Sequence, residues 1–324
     1  MAFRTIIKDN FETFSITYSD IILSMGSCFA MHMAERLSEH KFKVQNNPFG
    51  ILYNPISIAR NLDLLASDRT FIESDLFEHQ SLWHSYDHHG AFSASSPAES
   101  LTLINTSLRQ ARTNLAQTNT LLITLGTAFV WREQSSQSVV ANCHKMPASH
   151  FTRIRSTVDE MVDVLYRVLK KYQVSRPDLR CLITVSPVRH LRDGMINNQL
   201  SKASLILTAH TLTKKLPNVF YFPAYEMLID DLRDYRFYKS DMLHPSELAV
   251  DYIWSTFKQK YINASVTEKM EAIARILRAV NHRSLYPKSK AQQQFKAATL
   301  RQIEQLEQKY PDLSFLKEKQ SLNP

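Results

Sequence analysis

The chain has 324 residues, 44% of them apolar, with a formal net charge of +8. That is enough to bury a full core in one large domain, or in one domain with an appendage. Three cysteines (Cys28, Cys143 and Cys181) without CxxC spacing argue for free thiols and against a disulfide or zinc framework. No stretch is long and apolar enough to span a bilayer, and residues 1–10 lack the apolar run of a signal peptide. A reduced, cytoplasmic protein is the expectation. The positive charge comes with interspersed acids and no recognition motif, so it reads as solvated surface, and no nucleic-acid partner is expected. Glycine is scarce, at 5 residues, so each is expected where the backbone needs a positive φ or a close approach.

In chain order, Ile21-Ile22-Leu23-Ser24-Met25 reads as a first strand ended by Gly26. A helix follows from Cys28 to His40, burying Phe29, Met33 and Leu37 at four-residue spacing. Phe42-Lys43-Val44 reads as a short second strand, and Asn47-Pro48-Phe49-Gly50 is turn chemistry. Residues 71–118 are taken as an irregular insertion, aromatic- and histidine-rich in its first part, over one end of the sheet. A third strand lies at Leu121–Leu125, stopped by Gly126. A helix from Ser156 to Tyr172 precedes a fourth strand at Cys181–Val185, and a helix from Leu200 to Leu216 precedes a fifth at Val219–Phe222. This βαβ alternation predicts a three-layer, doubly wound α/β fold with a parallel sheet of about five strands, over residues 1–262. From 263 to 324 the pattern changes to two amphipathic helices, one carrying Met270, Ile273, Ala274, Ile276 and Leu277, the other Phe295, Leu300, Ile303 and Leu306. Tyr286-Pro287 breaks them apart into a helical hairpin.

Two constellations carry chemistry. In Gly26-Ser27-Cys28-Phe29-Ala30, at a strand-to-helix turn, Ser27 projects from the carboxyl edge of the sheet beside unpaired helix amides. It suits an acyl-transfer nucleophile or a plain helix cap. In Asp241-Met242-Leu243-His244-Pro245-Ser246-Glu247 a helix is expected to start with Pro245 in its first turn and to bury Leu248, Tyr252, Ile253 and Phe257. Asp241 then reaches one nitrogen of His244 and leaves the other free to take the Ser27 proton, unless the two form a surface capping pair. Cys28 is an alternative thiolate nucleophile at the helix start, although on the helix it is expected to point into the core. Trp83 and His88, with His84, His89 and Tyr86, are expected to pack near the site and to line its pocket rather than bind a metal. Arg189 and His190 follow a strand end and suit a polar or anionic substrate, a salt bridge or a cap.

The block Met25-Gly26-Ser27-Cys28-Phe29-Ala30 resembles the signature of the GSCFA family, a branch similar to the SGNH (GDSL-like) hydrolases. Further blocks fit that resemblance: Asn47-Pro48-Phe49-Gly50-Ile51-Leu52-Tyr53-Asn54-Pro55, Thr124-Leu125-Gly126-Thr127-Ala128, Ala141-Asn142-Cys143-His144-Lys145, Ser186-Pro187-Val188-Arg189-His190 and Ser240-Asp241-Met242-Leu243-His244-Pro245. The resemblance implies a flavodoxin-like strand order 2-1-3-4-5, with a crevice between the first and third strands. It implies Ser27 as nucleophile, Asp241 and His244 as its partners, and an oxyanion hole from Ser27 and Gly50. The third block departs from the SGNH pattern: Gly126 is followed by Thr127 and Ala128, without the usual asparagine donor. Thr127 or Asn142 is expected to substitute, and Asn54 and Gly126 join the substrate-contact candidates. The resulting expectation is a serine esterase or deacylase, without metal or cofactor, acting on a small-molecule or carbohydrate ester such as an O-acetyl group. The alternatives are an O-acyltransferase using the same site, or a degenerate binding or scaffold protein.

Overall fold

The computed structural model describes residues 4–7, 13–282, 285–286 and 288–322. Its central sheet is built from β1 (Ile21–Gly26), β2 (Lys43–Asn46), β3 (Thr120–Leu125), β4 (Arg180–Val185) and β5 (Val219–Phe222). The order across the sheet is 2-1-3-4-5 and every neighbouring pair is parallel. The doubly wound α/β class and the strand order are as expected.

Side chains alternate between two cores because successive residues of a strand face opposite sides. Leu23 and Met25 of β1, Leu121 and Ile123 of β3, and Ile183 of β4 enter the larger core. Their neighbours Ile22, Leu122 and Leu182 enter the other, with Phe222 of β5. Helices α2 (Pro55–Leu65), α3 (Pro97–Gln117), α4 (Val158–Ser175) and α5 (Met195–Lys215) cover the first face. Helices α1 (Cys28–Glu39) and α6 (Glu247–Tyr261) cover the second, through Phe29, Met33, Leu37, Ile253 and Phe257.

Four expectations are corrected. The stretch 71–118 is not irregular throughout: after a short hairpin (Phe77–His79 with Leu82–His84) it forms the 21-residue α3. Helix α5 begins at Met195, five residues before the expected Leu200. Helix α6 begins at Glu247 with Ser246 as its cap, so Pro245 lies outside it, and Leu248 is 62% exposed. Gly90 has neither a positive φ nor a close neighbour that a side chain would meet.

The C-terminal part has one more helix than the expected hairpin. Helices α7 (Thr267–Asn281), α8 (Lys290–Lys309) and α9 (Leu316–Leu322) close a small core around Ile273, Ile276, Ile303, Phe315 and Leu322. Phe295 stays exposed, and Pro287, the expected break, lies outside the described residues. This unit docks at the amino end of the sheet: Lys269 Nζ lies 4.1 Å over the ring of Tyr18, itself stacked on Phe42 with centroids 4.4 Å apart, and Lys41 pairs with Glu318 at 2.6 Å. No helix among the described residues is long and apolar enough to cross a membrane.

Candidate active site

Gly26 ends β1 with φ +140°, and a Cβ there would lie 2.2 Å from the Thr124 carbonyl oxygen. Only glycine allows β1 to approach β3 so closely, and the chain can then turn at once into α1. Ser27 stands at the N-cap position, yet its hydroxyl caps nothing. The side chain is 1% exposed and Oγ has no hydrogen-bond partner among the described residues. A buried hydroxyl without a partner costs stability that a true cap would not. The cap alternative for Ser27 therefore fails.

The segment 47–54 folds over the strand ends almost entirely through main-chain bonds. Asn47 N–H donates to the Ser24 carbonyl at 2.8 Å, Gly26 N–H to Asn47 Oδ1 at 2.8 Å, and Leu52 N–H to the Gly26 carbonyl at 3.0 Å. The Tyr53 carbonyl accepts from both Gly126 N–H (2.8 Å) and Thr127 N–H (2.9 Å). Gly126 is thereby wedged against its neighbours. A Cβ on it would sit 2.9 Å from the Tyr53 oxygen, and 3.2 Å from both Ser27 Cβ and His190 Nε2. His190 Nε2 is a second buried polar atom without a partner. Burial, and then the charges of Lys202 and Arg153, push the His190 pKa down to about 3, so the ring is neutral.

Asp241 and His244 occupy a tight loop closed by Lys239 N–H donating to the His244 carbonyl at 2.8 Å and by a bridge between Tyr238 and Pro245. Met242 takes φ +57° to complete the turn. His244 Nδ1 lies 2.7 Å from Asp241 Oδ2, while Asp241 Oδ1 accepts from Leu243 N–H (2.8 Å) and His244 N–H (3.0 Å). The two backbone amides, His244 first, and then the imidazole hold the Asp241 carboxyl down at about 2. His244 lines a cavity of about 680 Å³ at the carboxyl end of the sheet, shared with Cys28, Tyr53, Asn54 and His190. No hydrogen bond joins Ser27 Oγ to His244 among the described residues. Cys28, expected in the core, is instead half-buried in the cavity wall, with Sγ 3.7 Å from the Tyr53 hydroxyl.

The expected oxyanion donors are engaged elsewhere. Ser27 N–H donates to the Thr124 carbonyl (3.2 Å), Gly50 N–H to the Asn47 carbonyl (2.7 Å), and Thr127 N–H to Tyr53. The Thr127 hydroxyl sits between Ser201 Oγ and Phe129 N–H. Gly50 is also covered by His89, whose Cβ is 2.2 Å from where a Gly50 Cβ would lie. Among the described residues, the first amides of α1, at Cys28 and Phe29, and Nδ2 of Asn54 donate no hydrogen bond. Asn54 Oδ1 caps α2 by accepting from Ser57 N–H at 2.8 Å, which leaves its amide nitrogen for the cavity. Asn142 lines the cavity, with Oδ1 accepting from His144 N–H at 2.9 Å, and so does Arg189.

Trp83 and His88 are not in the cavity. Trp83 pairs its backbone with Ala94 in the hairpin region. His88 is 1% exposed among Phe49, Phe71 and Phe92, and burial pushes its pKa down to about 3. No cluster of metal-ligating side chains occurs among the described residues. Trp131 lines the cavity with Tyr53 and Phe129, and lies on a three-stranded antiparallel sheet (Phe129–Glu133, Val139–Val140, Phe151–Arg155) that the sequence reading missed. Lys202 was missed as well. It is 1% exposed beneath the site, its Nζ donating to the carbonyls of Gly126 (2.8 Å) and Ser186 (2.7 Å), and burial pushes its pKa down to about 7.

A model described as the GSCFA family matches residues 21–257. The chain belongs to the GSCFA family. A second model, the GSCFA domain protein C-terminal domain, matches residues 273–323. No curated protein and no solved structure matches the chain. The GSCFA match begins at the first residue of β1 and ends within α6, so it takes in the whole sheet and every wall of the cavity. The GSCFA C-terminal match begins within α7 and takes in α8 and α9.

Proposed function

We propose that this GSCFA protein is an acyl-ester hydrolase of the SGNH type, with Ser27 as nucleophile and the Asp241–His244 pair as its proton relay. One observation carries the reading: an imidazole whose Nδ1 is held by a carboxylate at 2.7 Å lines a cavity whose wall includes Cys28, the residue that follows the buried Ser27. With Nδ1–H committed to Asp241, Nε2 is the basic nitrogen and accepts the Ser27 Oγ proton as Oγ attacks an ester carbonyl. The amides of Cys28 and Phe29 and Asn54 Nδ2 steady the negative oxygen of the tetrahedral intermediate. Collapse expels the alcohol, which takes the proton back from Nε2, and a water then releases the acyl group by the same steps. No hydrogen bond holds the Ser27 hydroxyl in its buried position, so rotating it toward the cavity breaks none. An O-acetylated carbohydrate or similar small ester is the proposed substrate class, and the site would act as an acyltransferase where an alcohol replaces water.

A second reading has Cys28 as the nucleophile. It is favoured by the position of Cys28 in the cavity wall, at the first turn of α1. Labelling with a fluorophosphonate and with iodoacetamide, followed by peptide mass spectrometry and aryl-acetate turnover, separates the two. Loss of labelling and turnover in Ser27→Ala, with both retained in Cys28→Ala, supports the serine. The reverse pattern supports the thiol. Turnover unaffected by either substitution sinks both.

A further inference from the structure

The cavity wall has an unbalanced charge. Four cationic side chains line it, Lys145, Arg153, Arg189 and Arg192, and no aspartate or glutamate does. Arg153 is neutralised by Asp193, in a two-pronged pair at 3.0 and 2.7 Å. The other three have no carboxylate partner among the described residues. Asp241 lies behind His244, with both oxygens engaged.

The arginines are held in place. The Arg189 guanidinium lies 4.0 Å over the Tyr238 ring and donates to the Met242 carbonyl at 3.3 Å, which fixes it beside the Asp241–His244 loop. Its own amide donates to the Leu243 carbonyl at 3.1 Å. Arg192 lies 4.7 Å from the Trp131 centroid and Arg153 lies 4.8 Å from the same ring. A guanidinium stacked this way loses little further freedom when it binds, and its fork of donors matches a carboxylate or a phosphate. Trp131, occupied by two guanidiniums, positions cations rather than offering a face to a sugar. Three like charges around one concavity repel each other, and an anion relieves that repulsion.

We propose that the substrate of this site is an ester that also bears a carboxylate or phosphate group, gripped by Arg189, Arg192 and Lys145. The grip itself stands on the charges above. Its assignment to a substrate rests on the acyl-transfer reading.

Calorimetric titration with trigalacturonate, fructose 1,6-bisphosphate and the neutral maltotriose tests the proposal, in wild type and in Ser27→Ala, which needs no turnover to bind. At least one anion is expected to bind ten-fold or more tightly than maltotriose in both proteins, and more weakly as NaCl is raised. The tighter of the two anions identifies the group as carboxylate or phosphate. Arg189→Ala/Arg192→Ala is expected to lose at least ten-fold of that affinity. The exposed Arg192→Ala alone serves if the double variant fails to fold, and Arg167→Ala on α4 is the control expected to change nothing. Equal affinity for neutral and anionic probes, no binding by any probe, or anion affinity untouched by the arginine substitutions overturns the proposal. Anion binding without Ser27- or Cys28-dependent chemistry would keep the grip and remove the hydrolase. The opposite result would keep the hydrolase with a neutral substrate.

Discussion

Asp241 binds His244 twice, taking the ring Nδ1 on one carboxylate oxygen and the residue's own amide on the other. The second bond fixes the backbone that carries the imidazole, so one carboxylate sets both the tautomer and the ring position. The same bonds keep the carboxyl at about 2, below its ordinary 3.8. A depressed carboxyl contributes stability above its unfolded value and loses it only as pH falls toward 2. Asp241 is therefore expected to stay ionised through the working range and to set no acid limb of the pH–rate profile there. Asp241→Asn is expected to lower kcat by about 10³–10⁴-fold. A loss under ten-fold in aryl-ester turnover would remove Asp241 from the relay.

Asn54 offers two separable functions, because Oδ1 caps α2 while Nδ2, on a residue of the cavity wall, makes no hydrogen bond among the described residues. Asn54→Asp keeps an acceptor for Ser57 N–H and deletes the donor. It is expected to lower kcat by about 10²–10³-fold while leaving the thermal midpoint nearly unchanged. Asn54→Ala is expected to lose activity and also about 1 kcal/mol of stability with the cap. Equal kcat in Asn54→Asp and wild type would remove it from the oxyanion site.

Gly126 has no room for a methyl group between Tyr53, Ser27 and His190. Gly126→Ala is expected to cost about 1–3 kcal/mol in urea unfolding and to depress activity by displacing Ser27. Gly26→Ala, at 2.2 Å from a carbonyl oxygen and with φ +140°, is expected to be the more damaging. A reversed ranking would contradict the packing described.

Lys202 titrates in the folded protein near 7, against an ordinary 10.5. Below pH 7 both states carry the proton and the folded state bears the full burial cost. Between about 7 and 10.5 the unfolded chain holds more protons, so stability rises with pH through this group. Lys202→Met removes that dependence and leaves two carbonyls without their donor. The stability of wild type relative to Lys202→Met is expected to grow between pH 7 and pH 10 in denaturant titrations. A constant difference would show that the amine keeps its proton in the fold.

Four of the five strands were legible because they are short apolar runs closed by glycine or proline, a signal carried by adjacent residues; β2 is Lys-Val-Gln-Asn and lies at Lys43–Asn46 where Phe42–Val44 was expected. Strand order came from the family resemblance. Helix α3 was missed because Ile104, Leu108, Ala111 and Leu115 are diluted by polar residues on the other faces, although Ser96-Pro97-Ala98-Glu99 spells a helix start. At the site, the Asp241–His244 spacing predicted a bond that three residues can close. Which amides remained free could not be read in full, because Thr124 and Tyr53 take up those of Ser27 and Thr127 from segments distant in the chain, while Gly50 N–H closes a local turn onto Asn47. The sign of the cavity was also hidden, since Lys145, Arg153, Arg189 and Arg192 come from three separate segments and only the fold gathers them.

The staple at Tyr53 is made by main-chain atoms: one carbonyl takes two amides from the end of β3. No exchange of the Tyr53 side chain deletes that oxygen, but removing a single residue between Asn47 and Asn54 would draw it out of reach. This stretch acts as a ruler, so natural variants should keep its length.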